Sequence, residues 1–422
     1  MPIESPIVLD EKPAVRRGSK MFRALSHRNY RIFWIGAFIS NCGTWMQAVA
    51  QGWLVLQLTN SAFWLGLDAF MATAPGFVFT LLGGVYADIV DRRRLLIVTQ
   101  IISGCAALSL GTFIRTGHIN RWMVLGFSFI TGSCMALSSP SYLAMTYDLV
   151  GREDVANAVA LNSSQFQLSR VIGPTLAGFS IRLFDLAGCF FANGVSFIAV
   201  VTSLILVRPK HHLPAADQKQ RHNIWFDLLE GVSYVRNRPR VKSLLLLSAA
   251  NSFFGAPYFA MVPLYARDIF KLGESGLAWM MGTAGAGALI GALFIAYLGD
   301  FQRKGWAVLG GSISAGVCVT GFALSTNFNL TLFFLFGIGF SIVTSVATSN
   351  TLLQKIVTDE MRGRVMSMFM MSFMGTMPIG NIIAGTASHR FGAPTTLAVG
   401  GIIVTTVAIL VTITNERLRS LY

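Results

Sequence analysis

Long apolar runs separated by short polar loops are the dominant feature of this sequence. Only 12% of the 422 residues are charged and 53% are hydrophobic, whereas an ordinary soluble domain carries roughly 25% charged residues. Runs of ~18 or more apolar residues are typical of helices that span a bilayer. Because lipid offers the backbone no hydrogen bonds, a spanning segment must be a helix or part of a closed barrel, and these runs are too long for barrel strands. The sequence therefore predicts an all-α membrane protein.

The apolar runs predict twelve transmembrane helices in two six-helix bundles. We expect a cytoplasmic N-terminal tail at 1–31, a first bundle at 32–207, a cytoplasmic linker at 208–242, and a second bundle with a short tail at 243–422. The predicted spans are 32–56, 63–89, 95–116, 122–147, 155–183, 187–207, 243–266, 276–299, 306–325, 329–356, 363–388 and 393–414.

The distribution of basic residues orients the predicted helices. The formal net charge is +14. Basic chains often bind nucleic acid, so the position of the charges along the chain must show whether they serve nucleic-acid binding or membrane orientation. Of the 33 Lys and Arg residues, 26 fall on the side of the N-terminus and six on the other side, which leaves Arg170 inside a span. Cytoplasmic loops carry such an excess. We therefore expect both termini in the cytoplasm, basic loops that face an anionic leaflet, and no nucleic-acid partner.

The second part of the linker is amphipathic. Asn223 is placed to cap a helix there, and the apolar residues of that helix share one face. Two interpretations stay open: the helix lies in the membrane interface, or it packs on the underside of the protein. The apolar residues are Ile224, Trp225, Leu228, Leu229, Val232 and Val235.

The two halves of the sequence carry matching motifs at one constant offset of 212 residues. Such matches indicate duplicated halves, and parallel repeats of six helices are the plan of major facilitator transporters. The matching pairs are Asp88 with Asp300, Arg92 with Lys304, and Gly151-Arg152 with Gly363-Arg364.

The loop after the second span resembles the signature loop of the major facilitator superfamily, Gly-x-Leu-Ala-Asp-Arg-x-Gly-Arg-Arg. Its central acid is Asp88 and its basic pair is Arg92 and Arg93. Ile89 and Asp91 stand where the usual motif has Arg and Gly.

Longer segments along most of the chain are similar to the enterobactin exporter-like family of transmembrane secretion proteins. The resemblance implies the major facilitator fold and the outward movement of siderophores or drug-like molecules, generally against a proton gradient. The segments are RNYRIFW, GTWMQAVAQGWLVLQLTNSAFWLGL, LVGREDVANAVALN, RVIGPTLAG, APYFAMVPLYARD and MRGRVMSMFMM.

The signature loop predicts a gate. An acid at a helix end can pair with a guanidinium and can interact with the positive N-terminus of a neighbouring helix. The resemblance implies that this neighbour is the eleventh helix, so that the contacts lock the inner ends of the bundles in the outward-open state. The alternative is simple anchoring by positive charge. The candidate gating residues are Gly84, Asp88, Arg92 and Arg93, with a second copy at Asp300, Arg303 and Lys304.

Two ionisable residues lie inside predicted spans, where charge is costly and indicates function. Arg170 lies in the fifth span and precedes Gly173, Pro174 and Gly178. These three residues would bend the helix and let a partner approach closely, and they resemble the Gly-Pro motif of superfamily antiporters. The alternative for Arg170 is a bridge to helix carbonyls within one bundle.

Asp68, in the outer third of the second span, is the second such residue. Three interpretations stay open: it carries a proton, it pairs permanently with Arg170, or it is exposed to an outer vestibule.

We expect the substrate cavity to lie between the halves, walled by spans 1, 4, 7 and 10. Neutral polar groups among aromatic rings suit a large neutral or weakly polar ligand, although such groups also bond one helix to another. The candidates are Asn41, Trp45, Gln47, Gln51, Ser138, Tyr142, Asn251, Tyr258, Thr348 and Asn350.

These features predict a transporter rather than an enzyme. The sequence holds neither a phosphate-binding Gly-x-x-x-x-Gly-Lys-Ser/Thr loop nor an HExxH motif, so we expect no cofactor and no metal. The expected partners are the lipid bilayer, a small-molecule substrate and protons, for a monomer in a bacterial cell (inner) membrane. The leading hypothesis is proton-coupled export of a small amphipathic molecule, drug-like or siderophore, by alternating access. The alternatives are a nutrient-uptake symporter and a non-transporting membrane sensor on the same fold.

Overall fold

The computed structural model describes residues 20–77, 79, 91–208, 224–299 and 301–419, and within these ranges the chain is helical with no strand. The prediction of an all-α protein is confirmed. A 3₁₀ turn at Lys20–Ser26 precedes the first helix. The helices are α1 (Arg28–Thr59), α2 (Ala62–Thr73), α3 (Arg92–Arg115), α4 (Arg121–Leu206), α5 (Ile224–Arg236), α6 (Pro239–Ala250), α7 (Tyr258–Leu264), α8 (Gly273–Leu298), α9 (Lys304–Leu324), α10 (Phe328–Ile356), α11 (Asp359–Met370), α12 (Thr376–Phe391), α13 (Ala393–Thr414) and α14 (Glu416–Arg419).

Three short π-helical segments continue these helices. Asn251–Gly255 and Tyr265–Ile269 lie on either side of α7, so that 239–269 forms one long segment. Met371–Gly375 joins α11 to α12 in the same way.

By length and composition, eight of the described helical segments can cross a membrane. One of them, α4, has 86 residues, which would make a straight helix about 130 Å long. Its backbone leaves helical geometry at Gly151, where φ is 76°, and at Phe184 and Asp185. The chain folds back at the first bend, because Asn162 Nδ2 donates to Thr146 Oγ1 at 3.0 Å across it. α4 thus consists of three arms, 121–150, 152–183 and 186–206, each long enough to cross a bilayer.

Contacts between helix ends define two faces of the molecule. Arg267, at the end of the segment 239–269, contacts the end of α1 at Asn60, so these two ends lie on one face. We call this the opposite face. The other end of the helices, which carries Arg23, Arg92 and Lys304, is called the basic face.

The first half (residues 20–208) and the second half (residues 224–419) approach most closely through glycines. A Cβ atom built on Gly66 of α2 would lie 2.5 Å from the Asn381 carbonyl oxygen of α12, and one built on Gly285 of α8 would lie 2.4 Å from the Arg170 carbonyl oxygen. On the opposite face Ser61 Oγ lies 3.3 Å from His389 Nδ1. These contacts run from the middle of the helices to the opposite face, and a shared apolar core of both halves fills the same region.

Helix α5 packs on the second half at the basic face. Glu230 pairs with Arg364 of α11 at 2.9 Å, and Gly231 faces the Met368 side chain. Val235 is buried in the same apolar cluster as α6 and α11, while Val232 stays exposed. These contacts favour the packed interpretation of the linker helix. The side chains of 224–229 lie outside the described side chains.

The outer surface of the helices is apolar. Exposed side chains include Phe179, Ile198, Tyr297 and Phe333, of which Tyr297 is 90% exposed. Soluble proteins rarely expose such a continuous apolar surface, so the lipid bilayer is the environment that this surface fits.

We predict that Gly66→Val separates the halves at the opposite face. A valine there would meet the backbone of α12, and overpacking of this kind costs ~1–3 kcal/mol. The readout is disulfide formation in the double variant Ser61→Cys and His389→Cys, which should be slower when Gly66→Val is added. Gly126→Val is the matched control, because a Cβ atom at Gly126 meets no atom within 4 Å. Equal disulfide rates in the Gly66→Val and Gly126→Val backgrounds would contradict this packing.

Candidate functional site

Asp68 is buried in the first half and is held by neutral groups. Gln51 of α1 donates from Nε2 to both carboxylate oxygens at 3.1 Å, and the Ser128 hydroxyl of the first arm of α4 donates to Oδ1. Asp68 forms no ion pair with any residue that the structure describes, and in particular it does not pair with Arg170. The static pair with Arg170 is therefore not the arrangement in this structure.

A chain of side-chain amides extends from Asp68 across the first half. Gln47 Nε2 donates to Gln51 Oε1 at 3.5 Å, and Asn193 Nδ2 donates to Gln47 Oε1 at 2.6 Å. Ser196 Oγ donates to Asn193 Oδ1 at 3.0 Å. The chain thus links α2, through α1, to the last arm of α4. Because amides and hydroxyls can reorient their donors, this network can accommodate Asp68 in either protonation state.

Arg170 lies where the two halves meet. Its guanidinium carbon is 5.4 Å from the ring centre of Trp45 in α1 and 5.7 Å from that of Phe259 in α7. The two rings are packed edge to face with centres 5.8 Å apart. Such cation–π contacts compensate part of the cost of a buried charge. The alternative prediction, in which Arg170 bridges helix carbonyls within one bundle, does not account for the contact with Phe259, which belongs to the second half.

Several buried polar atoms of the helices predicted to wall the cavity have no hydrogen-bond partner among the described residues. In native proteins most buried polar groups are paired, so each such atom needs an explanation, for example a ligand. Four of the ten cavity candidates belong to this group: the Tyr142 hydroxyl, Asn251 Oδ1, the Tyr258 hydroxyl and Thr348 Oγ1.

The other cavity candidates have different surroundings. Trp45 packs under Arg170, and Gln47 and Gln51 belong to the amide chain. Ser138 donates to the Met135 carbonyl of its own helix, and Asn41 is partly buried. The last candidate, Asn350, accepts from Gln354 one turn along the same helix.

Three candidate gating residues, Gly84, Asp88 and Asp300, lie outside the described residues. Among the described ones, Arg92 pairs with Asp148 of α4 at 3.1 Å. Arg93 Nε donates to the Leu204 carbonyl at 2.5 Å, which places a cation at the C-terminal end of a helix.

The unusual Asp91 of the signature loop caps α3. Its Oδ1 accepts from the backbone N–H groups of Arg93 at 2.8 Å and Arg94 at 3.2 Å. These are the bonds that an N-cap residue makes, so the replacement of the usual glycine by Asp91 has a local structural reason.

In the second copy of the motif, a basic residue again begins a helix, but its neighbours differ from those in the first copy. Lys304 is the first residue of α9 as Arg92 is of α3. Lys304 is buried, and its Nζ lies 5.7 Å from the Phe301 ring centre. Arg303 precedes the helix in a left-handed conformation and is exposed.

The residues Gly173, Pro174 and Gly178 bring helices close together. A Cβ atom built on Gly173 would lie 2.4 Å from the Trp45 Cβ, and one built on Gly178 would lie 3.0 Å from the Ala278 Cβ of α8. Pro174 lies inside α4 without non-helical φ/ψ at that point.

A bridge between the halves at the opposite face was not predicted from the sequence. Arg267 Nη1 donates to the Leu56 carbonyl at 3.1 Å and to Asn60 Oδ1 at 2.6 Å, both at the end of α1. The neighbouring Asp268 holds the same guanidinium through two bonds of 2.6 and 3.0 Å. The Arg-Asp pair at the end of a span was the available signal.

Comparison with known proteins identifies the family. The family model described as "transmembrane secretion effector" matches residues 19–420. The chain belongs to the transmembrane secretion effector family. As a member of this family of major facilitator transporters, it is a multi-pass bacterial membrane protein.

Several relatives of this chain are named as exporters or transporters. It is 24% identical to macrolide efflux protein A of Streptococcus pyogenes over 91% of this chain and 95% of that protein. It is also 24% identical to the staphyloferrin A transporter of Staphylococcus aureus, and the match covers 92% of this chain and 97% of that protein. The identity to the enterobactin exporter EntS of Escherichia coli O1:K1 is also 24%, with 81% and 80% covered.

Solved structures show the same fold. A bacterial homologue of the human lysosomal transporter Spinster, in an inward-facing and occupied conformation, matches with a TM-score of 0.71 at 15% identity, covering 95% of this chain and 99% of that one. A POT family transporter in complex with 5-aminolevulinic acid matches with a TM-score of 0.72 at 12% identity, covering 93% and 97%.

We predict that Arg267→Met opens the protein at the opposite face. Hydrogen bonds from a charged donor are worth ~1.5–3 kcal/mol each, so loss of the two bonds to α1 should shift an opening equilibrium by more than about tenfold. The readout is labelling of Phe259→Cys by a membrane-impermeant maleimide added from that side. Arg115→Met is the matched control, because Arg115 lies on the same face and pairs with Asp185 of its own half. A labelling rate in Arg267→Met no higher than in Arg115→Met would contradict the bridge.

Proposed function

We propose that this protein exports a small amphipathic molecule in exchange for protons, by alternating access between the two halves. The observation that carries the proposal is Asp68, a buried carboxylate held by Gln51 and Ser128 without a described cationic partner. A carboxylate that is not neutralised by a neighbouring cation can bind and release a proton as its surroundings change. The relatives named as exporters support the outward direction.

The proposal includes twelve membrane-spanning helices in two bundles. The three arms of α4 count as three spans, and the segments 239–269 and 359–391 count as one each. In the first half, α1, the predicted second span and α3 complete six spans in 32–207. In the second half, α8, α9, α10 and α13 complete six in 243–422. The linker 208–242 joins the two bundles. The excess of basic residues supports a cytoplasmic basic face, and with it cytoplasmic termini in a bacterial inner membrane. We propose that the working unit is a monomer.

The contacts between the halves support an inward-open state. The halves touch from the middle of the helices to the opposite face, and Arg267 adds a polar bridge there. With a cytoplasmic basic face, this is the state in which an exporter takes up its substrate.

The test uses inside-out proteoliposomes with an imposed proton gradient, acid inside. Three labelled probes cover the charge classes: erythromycin as a cation, chloramphenicol as a neutral molecule and naphthalene-2-sulfonate as an anion. We expect gradient-driven accumulation of at least one probe, together with proton release from the lumen. Accumulation driven by the reverse gradient would identify a symporter instead. Absence of both accumulation and counterflow for all three probes would count against transport.

We predict that Asp68→Asn loses gradient-driven accumulation but retains counterflow. The amide keeps the size and can bond to Gln51 and Ser128, but it cannot carry a proton. The matched control is Asp185→Asn, which removes an exposed carboxylate at the opposite face. Full accumulation in Asp68→Asn with an unchanged dependence on pH would rule out the coupling role.

A further inference from the structure

The junction between the halves contains a cation whose donors are only partly used. Nε of Arg170 is buried and has no hydrogen-bond partner among the described residues. The Tyr258 hydroxyl interacts electrostatically with Arg170, and it too has no partner by hydrogen-bond geometry. Tyr258 is only 2% exposed. The Tyr258 hydroxyl oxygen can accept from the guanidinium, but neither Arg170 Nε nor the Tyr258 O–H has an acceptor among the described residues.

The position of Arg170 is fixed by both halves. Gly285 of α8 lies against its backbone carbonyl, and Gly173 of its own helix lies against Trp45. The guanidinium is therefore held over Trp45 and Phe259 by packing that a bulkier residue at either glycine would disturb. Trp45, Phe259 and Arg170 are all partly exposed, whereas Arg170 Nε and the Tyr258 hydroxyl are buried.

This arrangement selects a particular ligand chemistry. A guanidinium presents a planar fork of N–H donors that matches an oxyanion in two-point contact. The aromatic faces beside it suit a flat apolar body. A cationic ligand would be repelled by Arg170, and a neutral ligand would leave its charge without an anion. Asp68 does not fill this need, because it forms no ion pair with Arg170 and is bonded to Gln51 and Ser128 within the first half.

We propose that Arg170, Tyr258, Trp45 and Phe259 form a binding site for an amphipathic anion, in which an oxyanion group is joined directly to a flat apolar ring system. This assignment rests on the proposed function, since it names the class of molecule that the exporter carries. Arg170 and the Tyr258 hydroxyl bind the oxyanion, and the two rings contact the apolar body. The sequence predicted a neutral or weakly polar ligand. We instead assign an anionic ligand, because an unpaired donor of the site, Nε, belongs to the Arg170 cation.

The experiment measures equilibrium binding of a matched pair, naphthalene-2-sulfonate and the uncharged naphthalene-2-sulfonamide. The full-length protein is placed in phosphatidylcholine nanodiscs. We expect the sulfonate to bind at least about tenfold more tightly, the factor that one hydrogen bond to a charged group supplies. Arg170→Gln should remove this preference while binding of the sulfonamide stays within about twofold. Arg170→Lys should keep part of the preference, because the charge remains but the planar fork is lost.

The controls separate the site from general electrostatics and from misfolding. Arg182→Gln removes an exposed cation from the same arm of α4 and should keep the full preference. Tyr258→Phe should lower the preference without removing it, which provides a second measurement if Arg170→Gln does not fold. Added phosphatidylglycerol should leave sulfonate binding unchanged, and competition by it would assign the site to lipid head groups instead.

The proposal is overturned if the wild-type protein binds both probes equally, if it does not bind the sulfonate up to its solubility limit, or if the preference survives in Arg170→Gln. Its failure can be distinguished from failure of the proposed function. Gradient-driven transport of chloramphenicol or erythromycin, combined with no preference for the sulfonate, would uphold the exporter and remove only the anion site.

Discussion

Water is excluded from the membrane core, so every charge among these helices must be compensated by the protein itself. Placing a charged side chain at the centre of a spanning helix costs ~2.5–3.5 kcal/mol on insertion scales. The structure meets this cost in two different ways. Asp68 is surrounded by hydroxyl and amide donors within the first half, whereas Arg170 rests on aromatic rings contributed by both halves. One charge therefore belongs to a single half, and the other depends on how the halves meet.

Small residues make the meeting of the halves possible. Lipid provides no hydrophobic force that drives one spanning helix against another, so association depends on close backbone packing. Gly66 and Gly285 supply that packing between the halves, and Gly173 brings Trp45 under Arg170. Arg267 adds a directional contact at the opposite face, where water is close and a hydrogen bond can be exchanged. Packing of this kind closes one face while leaving its contacts reversible.

The sequence was sufficient to predict what depends on composition and periodicity, and insufficient where partners come from distant helices. The helical class and the placement of Asp68 and Arg170 within helices follow from hydropathy. The partners of these two residues could not be predicted. Ser128, which bonds to Asp68, and Phe259, which contacts Arg170, have no distinguishing feature in the sequence, because these contacts depend on which helix faces meet. Asp91 was seen only as a departure from a motif, since an N-cap bond requires the exact start of α3.

The second half has a local feature that sequence periodicity does not report. The π-helical segments Asn251–Gly255 and Met371–Gly375 lie against each other, and the Ser252 hydroxyl donates to the Phe373 carbonyl. A π segment shifts the backbone bonding pattern by one residue and occurs often at functional sites. Both segments interrupt helices whose continuations, α7 and α12, pack against the first half. The regular hydrogen-bond ladder is thus broken at one level in two of the helical segments that contact the first half.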